Sequence, residues 1–243
     1  VAKDGWSCEH TVVEIVADDQ PFIVDSVSAA LNEAGRTLNL VIHPIVETDQ
    51  GTQSWVHIEI DRESEADVVA ALESMIKAVL ADVRAALEDW PKMRDRAALL
   101  STQLLEEPPV GIESEDVAEA AELLSWLATD HFTFLGYREY ELEVAQDGTD
   151  VLVSRPETGL GILRATKPTR KSFAHLPPQV QQKAREPKLL MVTKANRRST
   201  VHRPTYLDYV GIKKFDDVGN VIGEMRFVGL LSAATYADSA TAV

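Results

Sequence analysis

The stretch from Ala17 to Val27, which reads ADDQPFIVDSV, decides how the first part of the chain folds. It stands where the apolar run Thr11–Val16 stops and an amphipathic pattern with helical spacing begins at Ile23. The run predicts a buried strand, and the pattern predicts a helix that ends at Gly35. The stretch therefore predicts an acidic, proline-bearing turn between a strand and a helix.

The backbone N–H groups at the start of that helix make the turn a candidate site for a small ligand. A ligand carboxylate would lie against these N–H groups, where the helix dipole favours an anion, and an ammonium group would need Asp18 or Asp19. Asp19 or Gln20 is also expected to cap the helix. The candidate ligand-binding residues are Asp18, Asp19, Gln20, Pro21, Phe22 and Asp25.

The same turn resembles the strand-to-helix turn of ACT domains, the regulatory modules that bind amino acids. Most ACT domains have a glycine after the proline or arginine of this turn, and Phe22 stands at that position here. We expect the phenylalanine ring to fill the space that glycine leaves open. The resemblance therefore implies an ACT-like fold in which amino-acid binding is weak or lost.

The elements after the turn complete the order βαββα. Residues 38–42 and 55–61 alternate as strands with one buried face, and an apolar stripe from Val68 to Leu87 predicts a helix that Trp90–Pro91 ends or kinks. We predict an α+β chain whose residues 1–108 form an ACT-like, or ferredoxin-like, domain with long C-terminal helices. A fourth strand is missing, so it either lies before Val1 or comes from another domain or subunit, and an open sheet edge invites pairing.

Two prolines and a glycine at Glu106–Gly111 predict a linker. A helix follows from Ser114, and from Phe132 the pattern changes to two strands, a helical interlude near Pro178–Arg185 and three further strands. This order is that of a PAS-like antiparallel sheet domain, and a second ACT-like fold is the alternative. We assign residues 109–243 to this second domain.

Charge is distributed unevenly over the 243 residues, whose net charge is −15. Residues 164–243 hold 14 Lys and Arg against 6 Asp and Glu, a net charge of +8, so residues 1–163 carry −15 − 8 = −23. The two parts either attract each other, face different partners or are separately solvated. The acidic total argues against nucleic acid as a partner.

The single cysteine, Cys8, excludes an intrachain disulfide framework and is typical of a cytoplasmic protein. The sequence contains no signal peptide and no apolar run near the roughly 18 residues that a membrane helix needs, so no membrane partner is expected. The start at Val1, without a methionine, and the small-residue end indicate a segment of a longer chain.

A cluster of basic residues is the second candidate site. Its guanidinium and ammonium groups could hold a phosphate or carboxylate, or form an interface with the acidic first domain or another subunit. A solvated connection between strands is the remaining alternative. The cluster consists of Lys194, Arg197, Arg198, His202 and Arg203.

His43 and His57, with Glu59 as the obvious third ligand, raise the question of a metal site. They follow no metal-binding spacing, and two histidines on a packed sheet face are more common, so we predict no metal. Gly159–Leu160–Gly161 lacks the third glycine of a dinucleotide loop, because Arg164 occupies that position, and we predict a turn. We expect no catalytic residue and no bound cofactor in this chain.

An ordered set of motifs along nearly the whole chain resembles the N-terminal region of the very large NAD-specific glutamate dehydrogenases of bacteria. Each motif is weak alone, and their order carries the resemblance. Besides ADDQPFIVDSV, the motifs are HPIV (43–46), HIEID (57–61), HFTFLGY (131–137), GLGIL (159–163), TKAN (193–196), STVHRP (199–204), YLDY (206–209) and RFVGL (226–230).

This resemblance implies a parent enzyme that oxidatively deaminates L-glutamate to 2-oxoglutarate and ammonia with NAD, in the cytoplasm, as a homo-oligomer. It implies for this segment a non-catalytic role in regulation and assembly. The segment's partners would be the rest of the parent chain, other subunits and an amino-acid effector. A stand-alone sensor or binding module for small metabolites is the alternative.

Overall fold

The computed structural model describes residues 8–144, 146, 148, 150–164, 170–172 and 186–231, with residues 170–172 described by their backbone alone. The helices are α1 (Ile23–Glu33), α2 (Ala66–Glu106) and α3 (Ser114–Trp126), and an irregular turn, Leu127–His131, follows α3. The strands are β1 (Thr11–Asp18), β2 (Leu38–Ile42), β3 (Ile45–Thr48), β4 (Gly51–Ile60), β5 (Phe132–Val144), β6 (Asp150–Gly161), β7 (Arg170–Ser172), β8 (Leu190–Arg198), β9 (Tyr206–Phe215) and β10 (Val221–Leu231).

The chain divides into two compact units. The first consists of Val1–Val83 and Ser199–Thr205, and the second of Arg84–Arg198 and Tyr206–Val243. The boundary between the two units thus falls inside α2. The segment Ser199–Thr205, which lies between β8 and β9 in the sequence, belongs to the first unit. The sequence analysis placed the domain boundary at residue 108. That residues 1–108 and 109–243 fold independently stays a prediction.

The first unit contains an antiparallel sheet in the order β1-β4-β2, with β3 also paired to β4. Alternate residues of β4, namely Val56, Ile58 and Ile60, are buried, and so are apolar residues of α1 and of the first part of α2. One face of the sheet therefore contributes to the core, because successive side chains on a strand point to opposite faces. The α+β prediction is confirmed, and β3 is an addition to the predicted order.

Strand β1 forms one edge of this sheet. Among the strands that the structure describes, β1 pairs with β4 alone, in the register Thr11↔Ile60 to Asp18↔Gln53. A groove of about 470 Å³ runs between Thr11–Val16 and apolar side chains of α2, including Leu72 and Ile76. This is the edge at which a further strand could add to the sheet.

The second unit contains an antiparallel sheet in the order β7-β6-β5-β10-β9-β8. Its core joins Met93 and Ala97 of α2 and Leu124 of α3 to Phe134 and Phe227 of the sheet. Two strands, an interval and three long strands follow each other in sequence, as the PAS-like prediction requires, and β7 adds a short edge strand. The predicted helical interlude near Pro178–Arg185 lies outside the described residues.

Helix α2 continues through Pro91, where the sequence predicted an end or a kink between two helices. Proline removes one backbone hydrogen bond and costs about 3 kcal/mol inside a helix. The fully buried Met93 and Ala97 follow directly, so core packing in the second unit outweighs that local penalty. No helix in the described part of the chain is long and apolar enough to cross a membrane.

Candidate functional site

The turn between β1 and α1 has the backbone conformation of a glycine at Phe22. Phe22 is the N-cap residue of α1, with φ 73° and ψ −2°, and within the described part of the chain no side chain makes a capping hydrogen bond to this helix. Left-handed backbone is uncommon for a bulky residue, because its Cβ crowds the following carbonyl. The turn therefore keeps the geometry that glycine favours while it carries an aromatic ring.

The ring of Phe22 contacts His202 of the Ser199–Thr205 segment. Their ring centroids lie 4.7 Å apart with the planes tilted by 41°. His202 also has a positive φ, 66°, so two of the three such non-glycine residues in the described chain touch each other. Strained backbone of this kind persists only where the surroundings hold it, and it clusters at functional sites.

Hydrogen bonds fix the Ser199–Thr205 segment to the start of α1. The backbone N–H of His202 donates to Oγ of Ser26 at 2.9 Å, and Ser26 is only 1% exposed. Nδ1 of His202 lies 3.3 Å from a carboxylate oxygen of Asp25. Val201 is fully buried, and Oγ1 of Thr200 donates to Asp82 on α2 at 2.6 Å. The segment is thus an integral part of the first unit.

The acidic residues of the turn are not capping groups. One carboxylate oxygen of Asp19 accepts a hydrogen bond from the Ser54 hydroxyl at 2.6 Å, and the Asp19 N–H donates to the carbonyl of Thr52 at 3.0 Å. The prediction that Asp19 or Gln20 caps α1 is therefore wrong. The Asp19 carboxylate bonds to Ser54 on β4, and Phe22 occupies the N-cap position. Asp18 is exposed and stands opposite Gln53 in the sheet register.

The remaining candidate residues of the turn lie at the surface. Pro21 and Asp25 are exposed, and Gln20 and Phe22 are half-buried. The Phe22 ring and the negative charge of Asp25 thus lie at the start of α1, beside its backbone N–H groups. The arrangement brings the predicted ligand-binding turn together with His202, which the sequence placed in a separate cluster.

The basic cluster is divided between the two units. Lys194, Arg197 and Arg198 lie on β8 in the second unit, whereas His202 and Arg203 belong to the first. Nζ of Lys194 lies 2.6 Å from a carboxylate oxygen of the buried Asp208, and the Arg198 guanidinium lies 5.5 Å from the centre of the Tyr206 ring. Lys194 and Arg198 thus have partners within their own unit.

The Gly159–Leu160–Gly161 motif ends strand β6 and begins a turn. The N–H of Leu163 donates to the carbonyl of Leu160, and that of Arg164 to Gly161. A Cβ on Gly161, whose φ is 57°, would lie 2.1 Å from the carbonyl oxygen of Leu135. Glycine is therefore required here by a close backbone approach.

Comparisons with known proteins place these features in context. Residues 1–76 match the family model described as the ACT1 domain of glutamate dehydrogenase. The chain is 33% identical over 98% of its length to an NAD-specific glutamate dehydrogenase of Halomonas elongata, and 34% identical over 98% to that of Pseudomonas aeruginosa. An NAD-specific glutamate dehydrogenase of Mycobacterium tuberculosis is 23% identical over 91% of the chain.

These relatives are much longer than the chain, which spans 16% of the first two and 14% of the third. The resemblance that the ordered motifs indicated is confirmed, and the matched residues 1–76 include the strands β1 to β4, the helix α1 and the first part of α2. The chain is therefore similar over nearly its whole length to one segment of the NAD-specific glutamate dehydrogenases, and its own residues 1–76 match the ACT1 domain of glutamate dehydrogenase.

Proposed function

We propose that this chain is the N-terminal, non-catalytic regulatory and assembly segment of an NAD-specific glutamate dehydrogenase. The whole protein would convert L-glutamate and NAD to 2-oxoglutarate and ammonia in the cytoplasm, and NAD would bind outside this segment. The observation that carries the proposal is the contact of the ACT-type turn with the chain's own Ser199–Thr205 segment.

This contact favours assembly over ligand binding at the turn. The Phe22 ring and His202 lie where an ACT domain offers its helix start to an amino acid, and Ser26 bonds to the backbone of the same segment. The exposed carboxylate of Asp25 also lies in the first turn of α1, where it already interacts favourably with the helix dipole. An incoming carboxylate would have to compete with these groups.

The sheet of the first unit offers a second reason for an assembly role. Trp55 lies on the face opposite the buried Val56 and Ile58, and it is exposed together with its cross-strand neighbour Val16. Leu40 and Ile42 of β2 are exposed on that same face. An exposed apolar face of this kind marks an interaction surface, which we assign to the rest of the parent chain or to other subunits of a homo-oligomer.

The alternative is an amino-acid sensor, either within the enzyme or as a separate module. The absence of a side-chain cap on α1 favours this candidate, because a ligand carboxylate could satisfy the N–H groups at the helix start. Calorimetric titration with a panel of amino acids that includes glutamate distinguishes the two functions.

The titration uses the wild-type chain, Asp19→Ala and Phe22→Gly. We expect weak binding or none for the wild type and Asp19→Ala, whereas Phe22→Gly removes the ring and keeps a residue that accepts the positive φ. Binding that appears only in Phe22→Gly would identify the ring as the block. Tight binding to the wild type that Asp19→Ala abolishes would contradict the proposal and establish a sensor.

Catalysis is tested separately, by glutamate-dependent reduction of NAD with the purified chain. We expect no turnover, because no dinucleotide-binding motif is present in the sequence. Turnover that a mutation within the chain abolishes would show that this segment is itself an enzyme.

A further inference from the structure

Three different metal-ligand side chains converge where β1 begins and β4 ends. Nδ1 of His10 lies 2.8 Å from Oε2 of Glu59, and Sγ of Cys8 lies 3.8 Å from the same Nδ1. One donor atom from each of the three residues lies within 4.8 Å of the others. This cluster belongs wholly to the first unit and lies away from the Phe22 turn in sequence and in sheet position.

The strand register explains why these residues meet. Val12 stands opposite Glu59 in the β1–β4 ladder, so the Cys8-x-His10 lead into β1 passes beside the end of β4. Glu59 alternates with the buried Ile58 and Ile60, which directs its carboxylate to the other face of the sheet. The convergence joins positions 49 apart in the sequence, and no spacing signature reveals it.

A fourth ligand-type group lies beside the three. His57 is two residues before Glu59 on β4 and therefore points to the same face. Its Nε2 lies 3.5 Å from Oε1 of Glu59. His57 thus neighbours the Glu59 carboxylate, while the donor atoms that lie within 4.8 Å of one another belong to Cys8, His10 and Glu59.

We propose that Cys8, His10 and Glu59 bind a zinc ion, with a solvent molecule as its fourth ligand. Thiolate, imidazole and carboxylate are the ligands of protein zinc sites, usually in tetrahedral arrangement. Zinc–ligand bonds of about 2.0–2.3 Å place neighbouring donor atoms roughly 3.3–3.6 Å apart, between the 2.8 Å that separates His10 from Glu59 and the 3.8 Å that separates Cys8 from His10.

The charges and the access to solvent suit a divalent cation. Binding replaces the hydrogen bond between His10 and Glu59 with two bonds to the metal, and the Cys8 thiol releases its proton to solvent. Thiolate and carboxylate together neutralise the two positive charges. His10 is 40% exposed and Glu59 19% exposed, so the ion can enter while the carboxylate remains mostly shielded.

The site would fasten the start of β1 to the end of β4. The sequence prediction of no metal rested on His43 and His57, whereas the structure brings Cys8 and His10 to Glu59. Because zinc binds the folded arrangement, it raises the stability of the protein in proportion to the logarithm of its concentration over the dissociation constant. Zinc binding is therefore measurable without any enzymatic activity.

The test is calorimetric titration of the metal-free, reduced 243-residue chain with zinc chloride, with thermal unfolding in parallel. We expect one zinc ion per chain and a higher unfolding temperature. Cys8→Ser, His10→Ala and Glu59→Gln should each bind zinc at least about tenfold more weakly, since even the hydrogen-bond partners of metal ligands contribute 10- to 100-fold. His43→Ala is the matched control, an exposed histidine between β2 and β3, and should bind as the wild type does.

Cobalt substitution gives a second reading of the same site. We expect the visible absorption of a tetrahedral cobalt ion and a thiolate-to-cobalt band that disappears in Cys8→Ser. Circular dichroism confirms that each variant is folded. Wild-type affinity in both Cys8→Ser and Glu59→Gln, or failure of the wild type to bind zinc stoichiometrically, would overturn the proposal.

Discussion

Asp25 in the first unit and Asp89 in the second are both helix carboxylates, but their surroundings differ sharply. The Asp25 side chain is 62% exposed and faces one imidazole nitrogen at 3.3 Å. The Asp89 side chain is 1% exposed and accepts from Arg164 at 2.6 Å, the Gly161 N–H at 2.9 Å and Lys92 at 3.0 Å. A carboxylate enclosed by donors holds a fold together, whereas an exposed one with a single partner can exchange it.

Removal of the enclosed carboxylate should give the largest effect on stability. Asp89→Ala leaves the buried Gly161 N–H without its acceptor and removes one of the two carboxylates that bond to Arg164, and we expect a loss of about 2–3 kcal/mol in the free energy of unfolding. Urea denaturation followed by circular dichroism measures it. Glu88→Ala is the matched control, because Glu88 bonds to the same arginine at 2.9 Å but is 51% exposed. Glu88→Ala should lower the free energy of unfolding by less than about 1 kcal/mol. Equal losses in the two variants would refute the distinction between the enclosed and the exposed carboxylate.

The same carboxylate predicts how stability depends on pH. Burial alone would raise the pKa of Asp89, but Arg164, the Gly161 N–H and Lys92 outweigh it and hold the pKa well below its ordinary value of 3.8. The stabilisation that the Asp89 carboxylate provides is therefore fully present above about pH 3.8. It is lost as the pH falls towards the lower pKa of Asp89 in the folded state. Urea denaturation at a series of acidic pH values should show the wild type losing its advantage over Asp89→Asn. A constant advantage down to strongly acidic pH would contradict this.

The contact at the exposed turn should be weaker. Ser26→Ala removes the acceptor of the partly buried His202 N–H, which costs about 1–2 kcal/mol. Hydrogen exchange should rise first in the Ser199–Thr205 segment, before the sheet of the first unit is affected. Ser28→Ala, on the same helix, serves as the control and should leave that exchange unchanged.

The smallest change in stability is expected for Phe22→Gly. Glycine relieves the left-handed strain, but it also loses the ring contact with His202 and raises the entropy of the unfolded chain. These effects oppose each other, and we expect a net change within about 1 kcal/mol. Phe22→Ala, which keeps the strain and loses the ring, should be less stable than Phe22→Gly in the same denaturation experiment.

Local patterns predicted most of the elements in both units. The apolar run before Asp18 and the alternation around Ile58 identified β1 and β4, since strand periodicity appears directly in sequence. The sequence did not predict that α2 continues through Pro91. The helix is sustained there by the burial of Met93 and Ala97, which depends on tertiary packing. Local propensity is a weak guide where a core decides the outcome.

The candidate site was predicted in part. The glycine-like position of Phe22 could be recognised from its place after Pro21, and the structure gives it a positive φ. The contact between Ser26 and His202 spans 176 positions, and no periodicity connects residues so far apart. Asp19 failed as a cap because Ser54, on a strand 35 positions later, takes its carboxylate.

The division of the first unit between two stretches of sequence has a consequence for synthesis on the ribosome. Residues 8–83 can pair their strands as soon as they emerge, but Ser199–Thr205 follows more than a hundred residues later. At about 5–20 residues per second, the nascent first unit spends several seconds with Ser26 lacking its donor and Phe22 lacking its aromatic partner. The start of α1 is therefore most accessible to chaperones and to small anions during translation, before His202 arrives.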